Sequence, residues 1–338
     1  MLTKIIDEGL IQKAKHLLSH AEKVALIAHM GPDGDALGSS LAMADFLQGQ
    51  GKCVKVIYPD AFPAFLSWMP GAKESLIYEQ MPEACESFLK EADTIVFLDF
   101  NQPSRMGGMV DFVTQLKAKK ILFDHHPFPE SFADVTISYP QISSSSEIVF
   151  RYICRSGCFD EMTKSCSECI YTGMMTDTGA FTFSSNNEEM YFIISQLIRK
   201  GIDKDDIYNR VFNTYSVDRM RLMGYVLHKK MKIYEEYNTA IITLSKAELE
   251  EFNYEVGDTE GFVNLPLSIE GINFSVFARE NTGDIKLSFR SKGTFPANRV
   301  AADLFGGGGH LNAAGGEFNG TLEDAVKILE DSLPDFMI

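Results

Sequence analysis

Residues 119–130 read KKILFDHHPFPE, an apolar run that stops on an acid and two imidazoles. Ile121, Leu122 and Phe123 are continuous rather than alternating, which marks a strand buried on both faces. Asp124, His125 and His126 then stand together where that strand must end. Such groups are costly to hold there unless something binds or orients them. The same grammar recurs upstream, where KVALIAHM (23–30) and TIVFLDF (94–100) close on His29 and Asp99.

Helical stretches separate these runs. DALGSSLAMADFLQGQG follows the first, CVKVIYP reads as another strand, and PEACESFLKEA as another helix. Strands alternating with helices predict an α/β domain, a mostly parallel sheet flanked by helices, over residues 1–187. EEMYFIISQLIRKG, DKDDIYNRVFNTYS and VDRMRLMGYVLHKK predict a helical connector over 188–230. Beyond it, TAIITLS, INFSVFARE and DIKLSFRS alternate like antiparallel strands, with ENTGD (280–284) as a hairpin turn. Helices at ANRVAADLF and TLEDAVKILEDSL complete a smaller α+β domain over 231–338.

Bulk composition narrows the function. The 338 residues are 45% hydrophobic and 23% charged, as in ordinary globular chains. The N-terminal stretch alternates apolar and charged residues at helical spacing, so neither a secretory signal nor a membrane span is expected, and the cytoplasm is the expected location. Cys154, Cys158, Cys166 and Cys169 have spacings that zinc can use, but they sit in apolar helical segments and are read as buried free thiols. The net charge of −16 argues against binding long duplex nucleic acid, which draws affinity from a broad basic surface. Phosphate, if handled, is handled locally.

HMGPDGDALGSS places His29, Asp33 and Asp35 in one turn at the end of the first strand. In open parallel sheets that edge is where ligands bind. Taken alone, the turn fits equally a cation site of mixed N/O ligands or a helix cap. Asp99, the tripeptide 124–126 and Asp177 in GMMTDTGAF add further polar termini after apolar runs. Carboxylates gathered this way repel one another unless cations lie among them.

The order H-x3-D-x-D, D, D-H-H, D resembles the DHH phosphoesterase superfamily. FLDFNQPSRMG fits the family's second motif, and FGGGGHLNAAGG (305–316) resembles the glycine–histidine signature of its associated C-terminal domain. The resemblance implies two divalent ions, manganese first and magnesium second, about 3.5–4 Å apart. His29 and Asp33 would hold one, Asp35, His125 and Asp177 the other, and Asp99 would bridge them. His126 would meet the substrate phosphate, with Asp124 orienting its neighbours. Hydrolysis would proceed by a hydroxide generated between the metals.

The C-terminal segment is read as the substrate-binding part. Gly307, Gly308 and Gly309 expose backbone that can nest an anion, and His310 adds a donor. Arg279, Lys286, Arg290, Lys292 and Arg299 face only Glu280 and Asp284 between positions 279 and 299. Arg279 is a candidate for substrate binding, and Arg290 beside Ser291 suits a terminal phosphate. A solvated strand face would look similar.

Within the superfamily the sequence resembles the stand-alone nano-RNase type. RecJ-type exonucleases carry extra nucleic-acid domains, membrane-anchored cyclic-dinucleotide phosphodiesterases carry spans and sensors, and manganese pyrophosphatases end in a Ser-Arg-Lys-Lys-Gln signature absent here. The resemblance thus implies hydrolysis of very short RNA, and of 3′-phosphoadenosine 5′-phosphate to AMP. Cyclic or linear dinucleotide phosphodiesterase is the alternative, with manganese pyrophosphatase and a non-catalytic nucleotide-binding module behind it. Short RNA and small nucleotides are the expected partners, no membrane is, and the oligomeric state, a homodimer included, is left open.

Overall fold

The computed structural model describes residues 3–183, 185–281 and 283–336. Met1, Leu2 and Thr282 of the expected hairpin turn lie outside them. The chain divides into two units, the first running to Thr214 and the second starting at Tyr215.

In the first unit, strands β1 (Lys23–Ile27), β2 (Cys53–Tyr58), β3 (Leu76–Ile77), β4 (Thr94–Leu98), β5 (Lys119–Asp124) and β6 (Val135–Ser138) form one sheet in the order β3-β2-β1-β4-β5-β6. Every pairing is parallel. The helices are α1 (Glu8–His20), α2 (Gly34–Gly49), α3 (Pro82–Glu91), α4 (Val110–Thr114), α5 (Ser145–Arg155), α6 (Lys164–Asp177), α7 (Glu188–Arg199) and α8 (Lys204–Phe212). Both sheet faces are covered, which is why the strands read as continuous apolar runs. Val24 and Leu26 pack into the layer containing Ile11, Leu37, Ile148 and Ile170, whereas Ala25 and Ile27 face Cys85, Leu89 and Met106. Strand order reverses direction between β1 and β4, so a crevice opens beyond their carboxyl ends.

The stretch read as a connector is divided between the units. Met190, Ile193 and Leu197 of α7, with Ile207 and Val211 of α8, belong to the first unit's core. Leu222 of α9 (Val217–Tyr225) belongs to the second unit, packed with Leu244 and Phe262. Apolar faces at helical spacing are read correctly from sequence, but which core they join is a tertiary matter.

The second unit adds β7 (Met231–Tyr234), β8 (Thr239–Leu244), α10 (Lys246–Glu251), β9 (Phe274–Glu280), β10 (Ile285–Ser291), α11 (Ala297–Phe305), β11 (Gly308–His310), β12 (Ala313–Phe318) and α12 (Leu322–Phe336). Its sheet runs β11-β12-β10-β9-β8-β7. The expectation of a purely antiparallel sheet fails at one pair, since β8 and β9 are parallel. The long crossover through α10 returns the chain to the same end of the sheet, and alternation alone carries no strand direction. Leu287 and Phe289 of β10 are fully buried against Val300, Ala301 and Leu329 of α11 and α12.

Candidate metal centre

Four motifs converge at the carboxyl edge of the first sheet. His29 follows β1 by two residues, Asp99 follows β4 directly, and Asp124 ends β5 with His125 and His126 behind it. Asp33 is the N-cap of α2, its Oδ1 accepting from the Asp35 and Ala36 amides at 3.0 Å each. The cap and the cation-ligand readings of this turn are therefore compatible, because Asp33 also lies 3.9 Å from His29 Nε2. Asp177 differs from the strand-end residues. It ends a helix, α6, rather than an apolar strand.

Asp99 is the centre of the arrangement. It sits in the left-handed region at φ 67°, which Asp tolerates better than most residues, and it is 2% exposed. Its Oδ2 lies 3.4 Å from His29 Nε2, and its Oδ1 lies 3.5 Å from His125 Nε2. One carboxylate thus turns an oxygen toward each histidine. Around it, His29, Asp33 and Asp99 form one trio of ligand atoms within 4.8 Å of one another, and Asp35, His125 and Asp177 form another. His125 Nε2 is 3.4 Å from Asp177 and 4.0 Å from Asp35.

The histidine tautomers suit cation ligation. His29 Nδ1 lies 2.9 Å from the Met30 carbonyl and His125 Nδ1 lies 3.3 Å from that of Ile142. A ring whose Nδ1–H donates to a carbonyl presents the Nε2 lone pair, and both Nε2 atoms face carboxylates. His126 differs, since its Nδ1 is 2.7 Å from Asp124 Oδ1, leaving Nε2 on the far side of the ring.

Electrostatics points the same way. Burial, then the charges of Asp35, Asp33, Asp177 and Asp124, hold Asp99 well above the ordinary carboxylate range. Burial raises Asp35 as well, although His125 and Ser146 oppose it. His125 is raised because Asp177, Asp35 and Asp124 outweigh its burial, whereas burial and the positive charge of His125 and Arg105 push His126 well below its usual value. Such a set is frustrated as bare protein and relieved by divalent cations. Mixed imidazole and carboxylate donors suit manganese or magnesium better than a thiolate-loving metal.

Sequence reasoning misses the support beneath this cluster. Asp35, 1% exposed, accepts from the Ser145 amide at 2.6 Å and the Ser146 amide at 2.9 Å, so a buried carboxylate sits on the N-terminus of α5. Ser145 Oγ also donates to Asp99 Oδ1 at 2.9 Å. Gly173 of α6 lets three helices close on this point, since a Cβ there would collide with Ser146 Oγ and lie 2.7 Å from Asp35 Oδ1. The available signal is the serine run 143–146 followed by Glu147, a helix-start pattern.

In the second unit, strand register brings Arg290 level with Ser275 on β9 and Ala313 on β12, and Ala313 level with His310 on β11. Arg279 pairs with Lys286, two positions along the same face of β10 from Ser288 and four from Arg290. Arg279, Arg290 and His310 therefore share one face of that sheet. Ser291 does not join them. Its hydroxyl donates to the Phe295 carbonyl at 2.7 Å and accepts from Asn312 at 2.8 Å, fixing the turn behind β10. Gly308 and Gly309 lie within a β-hairpin rather than an open loop, and Gly307 just precedes it. Cβ atoms at Gly307 and Gly309 would collide with the Gly315 and Ala313 carbonyl oxygens, so close packing already requires those glycines.

These features define a class: a doubly wound α/β unit carrying paired carboxylate–histidine clusters at its switch point, followed by a mixed-sheet unit. Residues 23–174 match the DHH family N-terminal domain, and residues 237–334 match the DHHA1 domain. The chain belongs to the DHH family of phosphoesterases. It is 30% identical to the bifunctional oligoribonuclease and PAP phosphatase NrnA of Thermus thermophilus, over 88% of this chain and 84% of that one. To the protein of the same name in Bacillus subtilis it is 25% identical, over 93% and 95%. Among solved structures it is similar to an exopolyphosphatase-related protein from Bacteroides fragilis, with 54% identity, a TM-score of 0.94, and coverage of 99% and 98%.

Proposed function

We propose that this protein is a metal-dependent phosphoesterase of the cytoplasm that cleaves very short oligoribonucleotides to mononucleotides and 3′-phosphoadenosine 5′-phosphate to AMP. The observation that carries the reading is Asp99, buried and turned toward His29 with one oxygen and toward His125 with the other. The names borne by the Thermus and Bacillus relatives supply the substrates.

His29 and Asp33 would hold one divalent ion, and Asp35, His125 and Asp177 the other, with Asp99 between. Two cations bound there supply Lewis-acid charge for a phosphoryl oxygen and lower the pKa of water near it. The chain's own residues do the rest. Asp124 accepts from His126 Nδ1 and fixes the ring, so that Nε2 meets the substrate. Burial and the positive charge of His125 and Arg105 favour its neutral form, and the negative charge of an arriving phosphate would favour the protonated one. His126 would then donate to the phosphate or to the leaving oxygen. Arg279, Arg290 and His310 are assigned to recognition of phosphate or base.

The test is a substrate panel: 5′-phosphorylated di- to pentaribonucleotides, 3′-phosphoadenosine 5′-phosphate, cyclic dinucleotides, pyrophosphate and polyphosphate. Each is offered with Mn2+, with Mg2+ and with chelator. Metal-dependent release of mononucleotides from the shortest RNAs, and of phosphate from 3′-phosphoadenosine 5′-phosphate, is expected. Turnover of pyrophosphate or polyphosphate alone would overturn the choice of substrate, and turnover of none would sink the enzyme reading.

A further inference from the structure

We propose that Phe128 is a stacking platform for a nucleobase of the substrate, at the rim of the metal cluster. The inference rests on the phosphoesterase reading and adds the part of the ligand that carboxylates and imidazoles do not recognise.

Phe128 comes two residues after His126 in HHPFP, and its side chain is 89% exposed. Among the described residues it is the most exposed large apolar side chain. Its backbone is left-handed at φ 57°, a conformation that bulky residues rarely adopt. Phe181 has a similar φ of 62°, but its ring is half-buried, packing 5.5 Å from Tyr171 against the core. Burial offsets the disfavoured backbone at Phe181. At Phe128 no comparable burial does so.

The loop that carries the exposed ring is nevertheless held in place. Pro127 and Pro129 restrict the backbone on either side. Asn101 Nδ2 donates to the Pro127 carbonyl at 2.7 Å, and the Glu130 amide donates to the Asn101 carbonyl at 2.8 Å. Asn101, itself two residues beyond Asp99, therefore clasps both ends of the loop. An apolar, water-facing ring on a pinned loop, two residues from His126 in the chain, fits a ligand with a flat face. Unpaired bases present such a face whatever their identity, so stacking recognises single-stranded nucleotides without reading their sequence.

The test compares a 5′-phosphorylated diribonucleotide with the same molecule carrying abasic ribose, using the full chain with Mn2+. Phe128→Ala should lower kcat/KM for the base-bearing substrate roughly 10- to 100-fold and the abasic one far less, collapsing the preference between them. Phe128→Trp should restore that preference. Phe128→Gly, which suits the backbone, should match the alanine variant and guards against misfolding of the latter. A dinucleotide containing 2-aminopurine gives a second readout in chelator: its fluorescence should be quenched by the wild type, less by Phe128→Ala and again by Phe128→Trp. Equal losses on both substrates, unchanged quenching, or an altered sedimentation coefficient in Phe128→Ala would overturn the proposal while leaving the hydrolase reading in place. A wild type that cleaves neither substrate would instead remove the hydrolase reading on which the proposal stands.

Discussion

The two sheets distribute charge in opposite ways. The first, all parallel and covered on both faces, gathers acids and imidazoles at one edge, where His29, Asp35, Asp99 and His125 are each less than 5% exposed. The second, mixed in direction, spreads Arg279, Lys286 and Arg290 along one face, Lys286 exposed and the two arginines half-buried. Concentrated, buried carboxylates repel one another and call for cations, whereas basic residues spread along a strand face cost little to hold. The contrast is one of stakes, since a single substitution should do far more damage at the first edge than on the second face.

Breaking Asp99 should have the largest effect. Asp99→Asn keeps the side chain's shape but removes the charge shared between the two trios, so Mn2+-dependent turnover should fall by roughly a thousandfold or more. Binding is an independent check. Mn2+ should raise the melting temperature of the wild type, as a ligand of the native state must, and raise that of Asp99→Asn much less. Full activity together with an undiminished thermal shift would reject the bridging role.

Ser145→Ala tests the layer beneath. It deletes the hydroxyl that donates to Asp99 while keeping the backbone amide that holds Asp35. Groups that orient ligands in this way typically contribute about 10- to 100-fold to metal affinity, so a rise of roughly that size in the Mn2+ dissociation constant is expected, measured by calorimetry. Ser145→Thr should recover most of it. An alanine variant with wild-type affinity would mean that packing alone fixes Asp99.

How much of this is legible in the sequence follows from the same contrast. Continuous apolar runs ending in polar residues give away the parallel sheet and locate His29, Asp99 and His125, because burial on both faces and placement at a strand end are both written in local sequence. Asp177 is found by motif, at the end of an apolar segment that reads as a buried helix and forms one. Ser145 is invisible because its importance lies in a contact with Asp99, 46 positions away. On the second sheet, alternation identifies the strands yet cannot say that β8 and β9 run parallel, or that the Ser291 hydroxyl is already engaged by Phe295 and Asn312. Periodicity reports which face a residue takes, and long-range partners lie beyond it.

Arg290→Ala sharpens the comparison from the other side. Arg290 is a half-buried residue whose guanidinium donates to its own strand's Phe289 carbonyl at 3.0 Å, and the melting temperature of the variant is measured alongside its kinetics. If it recognises a phosphate, KM for a 5′-phosphorylated dinucleotide should rise roughly tenfold with a smaller change in kcat. Lysine should restore only part of the loss, since it cannot form the two-pronged contact. A kcat defect without a KM defect would remove Arg290 from substrate recognition.

The smallest expected effect on the chemistry comes from Glu248, a half-buried charge of the second unit that is closely paired. Glu248, the third residue of α10, forms a capping box with Ser245 and lies 2.8 Å from Lys230 Nζ and 2.5 Å from the Tyr225 hydroxyl. Burial alone would raise its pKa, but Lys230, the Ser245 amide and Tyr225 outweigh it and bring the value down to about 2. A carboxyl held below its unfolded value stabilises the fold above that value, and the contribution fades as pH falls from about 4.5 through about 2. At neutral pH, Glu248→Gln should therefore cost roughly 1–3 kcal/mol in a urea titration, less than the full shift implies because water screens part of the pairing. The difference between variant and wild type should shrink on acidification across that window, while Mn2+ affinity stays where it was. A gap independent of pH would mean that the capping geometry, which glutamine can partly keep, matters here and the charge does not. The second unit would then rely on charge less than the first, where Asp99 sits among buried carboxylates.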